Sequence, residues 1–193
     1  MPLSSTRCAS GSSGSRWRHG RRALPRSGYR VAGLAPASAD QMSLVTASIR
    51  IDAAPSDVWR MVMDPNRLSE WVTIHRKLVH ADDGPPKLGF TMDQQLQMRG
   101  VHLEVHWRLV ECRPCELAVW VGRGPARSRA RTEYLLSAEA GGTRFDYRNE
   151  FRPPLGPIGT LVSRALVGGM PEREARRTLE RLRAQLEGAR VEN

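Results

Sequence analysis

The stretch Val101-His102-Leu103-Glu104-Val105-His106-Trp107-Arg108-Leu109 alternates apolar and polar side chains at every position. A period of two is the signature of a strand with one buried and one wet face, and it excludes a helix over these residues. The breaks on either side are short: Arg99-Gly100 upstream and Arg113-Pro114 downstream. Hairpin-length breaks imply antiparallel neighbours, because parallel strands need long crossovers. Upstream, Phe90, Met92, Leu96 and Met98 share one parity that Gln94 interrupts. Further breaks at Asp82-Asp83-Gly84-Pro85-Pro86, Gly122-Arg123-Gly124-Pro125 and Gly141-Gly142 divide the region after Thr73 into about six strands.

Outward from this meander the pattern changes at both ends. On the N-terminal side, Val45, Ala47, Ile49 and Ile51 alternate with Thr46, Ser48 and Arg50, which predicts a first strand. Pro55 suits a first helical position, and Val58, Trp59, Val62 and Met63 follow at helical spacing before Asp64-Pro65 stops the turn. A second short helix is expected from Pro65 to Glu70, anchored by Trp71. On the C-terminal side, Ile158, Leu161, Val162, Ala165 and Leu166 form one helical stripe. Ala175, Leu179, Leu182 and Leu186 form another. Gly168-Gly169-Met170-Pro171 lies between them, so one long helix kinked near Gly169 is expected, closed by Gly188.

With 193 residues and 40% hydrophobic content, one domain with a substantial core is expected. We place it at residues 42–188, with a basic Ser/Gly/Arg-rich tail over 1–41 and a short tail over 189–193. The formal charge of +10 is unevenly distributed. Residues 1–40 hold seven arginines against Asp40, which accounts for +6 and leaves +4 for the rest. That remainder mixes both signs and carries no polyanion signature, so no specific nucleic-acid partner is expected. The tail reads as a disordered extension, with a targeting peptide or a basic arm as the other readings. Three cysteines, Cys8, Cys112 and Cys115, argue against a disulfide framework and for the cytoplasm. No stretch approaches the roughly 18 apolar residues that span a bilayer.

The order of strand, two short helices, six antiparallel strands and long C-terminal helix resembles the START-like, or SRPBCC, superfamily. Local phrases carry the resemblance further. Ile51-Asp52-Ala53-Ala54-Pro55-Ser56-Asp57-Val58-Trp59, then Met63-Asp64-Pro65 and Trp71, is similar to the opening of its polyketide cyclase/dehydrase and lipid-transport branch. Trp107-Arg108-Leu109-Val110-Glu111 with Pro114, Leu117 and Trp120 is similar to the central hairpin, and Leu155-Gly156-Pro157-Ile158-Gly159 to the helix entry. The resemblance implies an α+β helix-grip fold: a curved seven-stranded antiparallel sheet wrapped around the C-terminal helix, with a cavity between them for a hydrophobic molecule such as a lipid or polyketide.

The candidate ligand-binding residues follow from inward parity under that fold. They are Trp71, Met92, Leu96, Leu103, Val105 and Trp107 with Leu161, Val162 and Leu166 of the helix, and the polar markers Thr132, Tyr134 and Tyr147. Asn149 shares the parity of Tyr147, and Gln94 joins the polar group with lower weight. No cofactor or metal is expected. Four residues apart on a strand, His102 and His106 sit about 13 Å apart, too far to share an ion. Cys112-Arg113-Pro114-Cys115 falls in a hairpin turn without the following helix that lowers a thiol's pKa in redox pairs. No histidine reads as clearly inside. Arg127, Arg129 and Arg131 read as one solvated strand face.

Binding of an apolar small molecule is the expected function, with a cyclase or aromatase-like enzyme as the alternative and a protein-interaction platform as the second. A monomer or weak dimer is expected.

Overall fold

The computed structural model describes residues 43–98, 100–153 and 170–188. The chain begins with β1 (Ser43–Ile51), in which Val45 and Ile51 are buried while Thr46, Ser48 and Arg50 face solvent. Pro55 then opens α1 (Pro55–Met63), where its missing N–H costs no helical hydrogen bond. The helix buries Val58, Met61, Val62 and Met63. It ends at Asp64, whose carboxylate accepts from the Asn66 N–H at 2.9 Å and caps a single 3-10 turn, Pro65–Arg67. The second expected helix is therefore divided: the 3-10 turn leads into α2 (Leu68–Trp71), which ends on the fully buried Trp71.

Six strands follow: β2 (His75–Ala81), β3 (Thr91–Met98), β4 (Val101–Arg113), β5 (Leu117–Arg123), β6 (Arg129–Glu139) and β7 (Gly142–Arg152). All pairings are antiparallel, in the order β1-β7-β6-β5-β4-β3-β2. β1 and β2 thus occupy opposite edges, and the helical segment between them crosses the width of the sheet. Each hairpin supplies its own register. Alternation in β4 buries Leu103, Val105, Trp107 and Leu109 and exposes His102, Glu104, His106 and Arg108. The curved sheet and its C-terminal helix make a helix-grip α+β fold.

The C-terminal helix α3 (Met170–Gly188) lies against β1 and α2. Its stripe Ala175, Leu179 and Leu182 is buried, with Leu186 packed against the core. Fully burying one such leucine contributes on the order of 1.5–3 kcal/mol. Polar ties fix its position: the Asp52 N–H donates to Glu187 Oε1 at 3.0 Å, and Arg181 Nη2 donates to the Ser69 carbonyl at 3.2 Å. The expected kink near Gly169 and the stripe from Ile158 to Leu166 lie outside the described residues. Among the described residues, no helix is long and apolar enough to cross a membrane.

One sequence expectation, the arginine face of β6, is corrected. Arg127 does not continue the arginine face of β6, because it sits in a 3-10 turn, Pro125–Arg127, at φ 62°. Arg129 is exposed there, and Arg131 pairs with Glu133 at 2.8 Å. In β2, register shifts between His75 and Lys77 and between Leu78 and His80 break the simple alternation. His75 is consequently half-buried.

Candidate functional site

Inward-facing residues of β1 and of β3 to β7 meet α2 and the start of α3 around a pocket of about 250 Å³. Period-two alternation explains why so many candidates converge. Met92, Gln94 and Leu96 share one parity of β3, and Leu103, Val105 and Trp107 share one of β4. The registry pairs Met92 with Trp107, Gln94 with Val105 and Leu96 with Leu103, so all six point to the same side. Thr132 and Tyr134 of β6 stand opposite Asn149 and Tyr147 of β7 in the same way. Trp71, Met92, Leu96, Leu103, Val105, Trp107, Thr132, Tyr134 and Tyr147 all line the pocket, as do Gln94 and Asn149. Leu161, Val162 and Leu166 lie outside the described residues.

The deep wall is aromatic. Trp71 meets Tyr134 edge-on at 6.0 Å between ring centroids, and Tyr134 stacks on Tyr147 at 6.1 Å. Burial raises the pKa of both phenols. Tyr134 is raised by burial first and by neighbouring Tyr147 second. Tyr147 is pushed up to about 12 by burial, which outweighs the lowering effect of the nearby Thr132 hydroxyl. Both therefore remain protonated at neutral pH and act as donors or weak acceptors, not as bases. The indole Nε1 atoms of Trp71 and Trp107 are buried without a hydrogen-bond partner among the described residues.

The polar groups of the wall are mostly engaged. Thr132 Oγ1 donates to Asn149 Oδ1 at 3.1 Å across the β6–β7 ladder. Gln94 is buried, and its amide lies 2.8 Å from His75 Nδ1. Burial holds the His75 imidazole below the usual histidine range, so it is neutral at pH 7. Thr73 and Thr178 join their hydroxyls at 2.7 Å and tie α3 to the segment after α2.

Several lining residues escaped the sequence reading. Glu174, Ala175 and Thr178 of α3 line the pocket, although only Ala175 belonged to the recognised stripe. The signal was available, since Glu174 and Thr178 are four apart and share a helix face. Trp120 also lines the wall and packs edge-on against Phe90 at 6.2 Å between centroids.

The remaining constellations of the sequence have structural explanations. His102 and His106 are exposed, and His106 Nδ1 is 2.6 Å from Asp93 Oδ1. Among the described residues, no group of three or more His, Cys, Asp or Glu side chains is placed to hold a metal. Cys112 is a half-buried free thiol on β4, and burial raises its pKa away from the reactive thiolate.

Comparison with known proteins agrees with this architecture. Toxin Rv0910 of Mycobacterium tuberculosis H37Rv is 26% identical over 129 residues, covering 65% of this chain and 88% of that protein. Among solved structures, the fold is similar to TTHA0849 from Thermus thermophilus, with a TM-score of 0.62 at 19% identity, covering 76% of this chain and 99% of that one. It is also similar to the Zhui aromatase/cyclase from a Streptomyces species, with a TM-score of 0.63 at 14% identity, covering 76% and 94% of the two chains. At such identities the structural likeness speaks to the fold alone. The family model described as polyketide cyclase / dehydrase and lipid transport matches residues 42–187, and the chain belongs to that family.

Proposed function

We propose that this chain binds a hydrophobic small molecule between the concave face of its sheet and α3. One observation carries the proposal: the apolar and aromatic residues of six strands, α2 and α3 converge on a pocket instead of closing on one another. A pocket of this kind, mostly apolar with a few positioned polar groups, is the usual form of a small-molecule site. The family to which the chain belongs is described by both lipid transport and polyketide cyclisation, and a hydrophobic ligand is common to the two.

Burial keeps both tyrosines in the protonated form, so neither supplies the base that a cyclase would need against a poly-carbonyl chain. Native mass spectrometry of gently purified protein tests the proposal. A co-purified apolar molecule is expected, and its mass would identify the class. Protein that is empty, and that fails to take up a neutral apolar reporter dye, would refute it. Turnover of a synthetic poly-β-keto substrate, lost in Tyr134→Phe or Tyr147→Phe, would favour the enzymatic alternative instead.

A further inference from the structure

We propose that the pocket selects by charge: it accepts apolar molecules whose polar end is cationic or uncharged, and disfavours those ending in a carboxylate or phosphate. The inference rests on the pocket being the ligand site. The chain carries 30 lysines and arginines against 20 acids. Yet among the described residues lining the pocket there is no lysine or arginine, and the one charged side chain is Glu174. A site built for an anionic headgroup places an arginine fork or a lysine at its polar end.

Glu174 is positioned to be felt. It belongs to the first turns of α3 and lines the pocket while keeping 26% of its side chain exposed, which puts the carboxylate at the rim. Its ion-pair partner, Arg177, lies one turn further at 3.8 Å and is 70% exposed, so the counter-charge sits on the solvent side and is screened. The other polar wall groups are uncharged. Thr132 is paired with Asn149, Gln94 with His75 and Thr178 with Thr73, which leaves the Tyr147 hydroxyl and the indole N–H groups of Trp71 and Trp107 as neutral polar groups of the lining. Tyr147 and Phe151 add aromatic rings to the lining, and an aromatic π-system attracts a cation, not an anion.

Displacement of a neutral naphthylamine dye from the full chain by three amphiphiles with one dodecyl tail tests this: dodecyltrimethylammonium, dodecanol and dodecanoate. At low ionic strength, the cation and the alcohol are expected to displace the dye at least about tenfold more readily than the carboxylate, the size of effect one nearby charge produces at a partly desolvated rim. Glu174→Gln should narrow the gap between cation and carboxylate by about fivefold or more and leave dodecanol within about twofold. Arg177→Gln, outside the pocket lining, should retain or widen the gap. Equal displacement by all three amphiphiles, or an unchanged gap in Glu174→Gln, overturns charge selection while leaving the binding function intact. Displacement by none of them overturns both.

Discussion

The indole of Trp107 lies across Gly122, its directly paired residue on β5, so closely that a Cβ built on Gly122 would stand 2.8 Å from the ring. The same Cβ would also stand 2.8 Å from a methyl of Val105. Trp107 and Val105 both line the pocket, so the absent side chain sets where this part of its wall stands. Here glycine answers a steric need on the sheet surface, not a need for unusual backbone angles.

Gly122→Ala is therefore expected to push Trp107 into the pocket and to destabilise the fold by about 1–3 kcal/mol, the usual cost of overpacking. Chemical denaturation measures the loss. Combining it with Trp107→Leu should recover part of that loss, because the smaller side chain yields space to the new methyl. A fully additive double mutant would show that the two residues do not share this contact.

Trp71 supplies a second stability test. It is 1% exposed, and its Nε1 has no hydrogen-bond partner among the described residues, so its contribution comes from packing against Tyr134 and the core. Trp71→Phe should cost less than about 2 kcal/mol, since no hydrogen bond is lost. Trp71→Ala should cost about 3–5 kcal/mol through the cavity it leaves. Equal costs for the two variants would mean that the indole N–H contributes.

Legibility in the sequence followed regularity in the backbone. The alternation of Val101 to Leu109 and of Val45 to Ile51 reports a parity, and hairpin-length breaks carry that parity from strand to strand. Thr132, Tyr134 and Tyr147 could thus be expected on the inner wall from parity together with the fold that the family resemblance implies. The half-burial of His75 beside Gln94 could not be read in this way, because two register shifts interrupt β2. Glu174 and Thr178 were obscured for another reason. A helix that begins beside a pocket shows it a polar turn, whereas hydrophobic periodicity finds only the stripe that packs on the core.

His75 makes stability sensitive to acid. Its pKa is lowered by burial in the folded protein, so the unfolded chain binds the proton more readily. The stabilisation of the neutral form is complete above the unfolded value of about 6.5 and is lost as pH falls through the folded value. Denaturant midpoints should accordingly fall on acidification below about pH 6.5, and the fall should be shallower in His75→Gln, which retains a polar partner for Gln94 but does not titrate. Parallel profiles for the two proteins would remove His75 as the source.

Alkali acts through the tyrosine pair with the opposite sign. Burial raises Tyr147 to about 12, above the value of an exposed phenol, and raises Tyr134 as well. Above about pH 10 the unfolded chain releases phenolic protons that the folded chain still holds. Stability should therefore decline from that point upward and continue to decline until the folded phenols ionise. The phenolate absorbance of Tyr134 and Tyr147, taken as the difference from a variant with phenylalanine at both positions because the chain also holds Tyr29, should appear together with unfolding, not before it. Tyr147→Phe removes one of the two groups and should flatten the decline. It should also leave neutral-pH stability within about 1.5 kcal/mol, since the ring stacked on Tyr134 is preserved. If both phenols instead titrate near pH 10 in the folded protein, the tyrosine pair faces open water and this wall of the pocket is not enclosed.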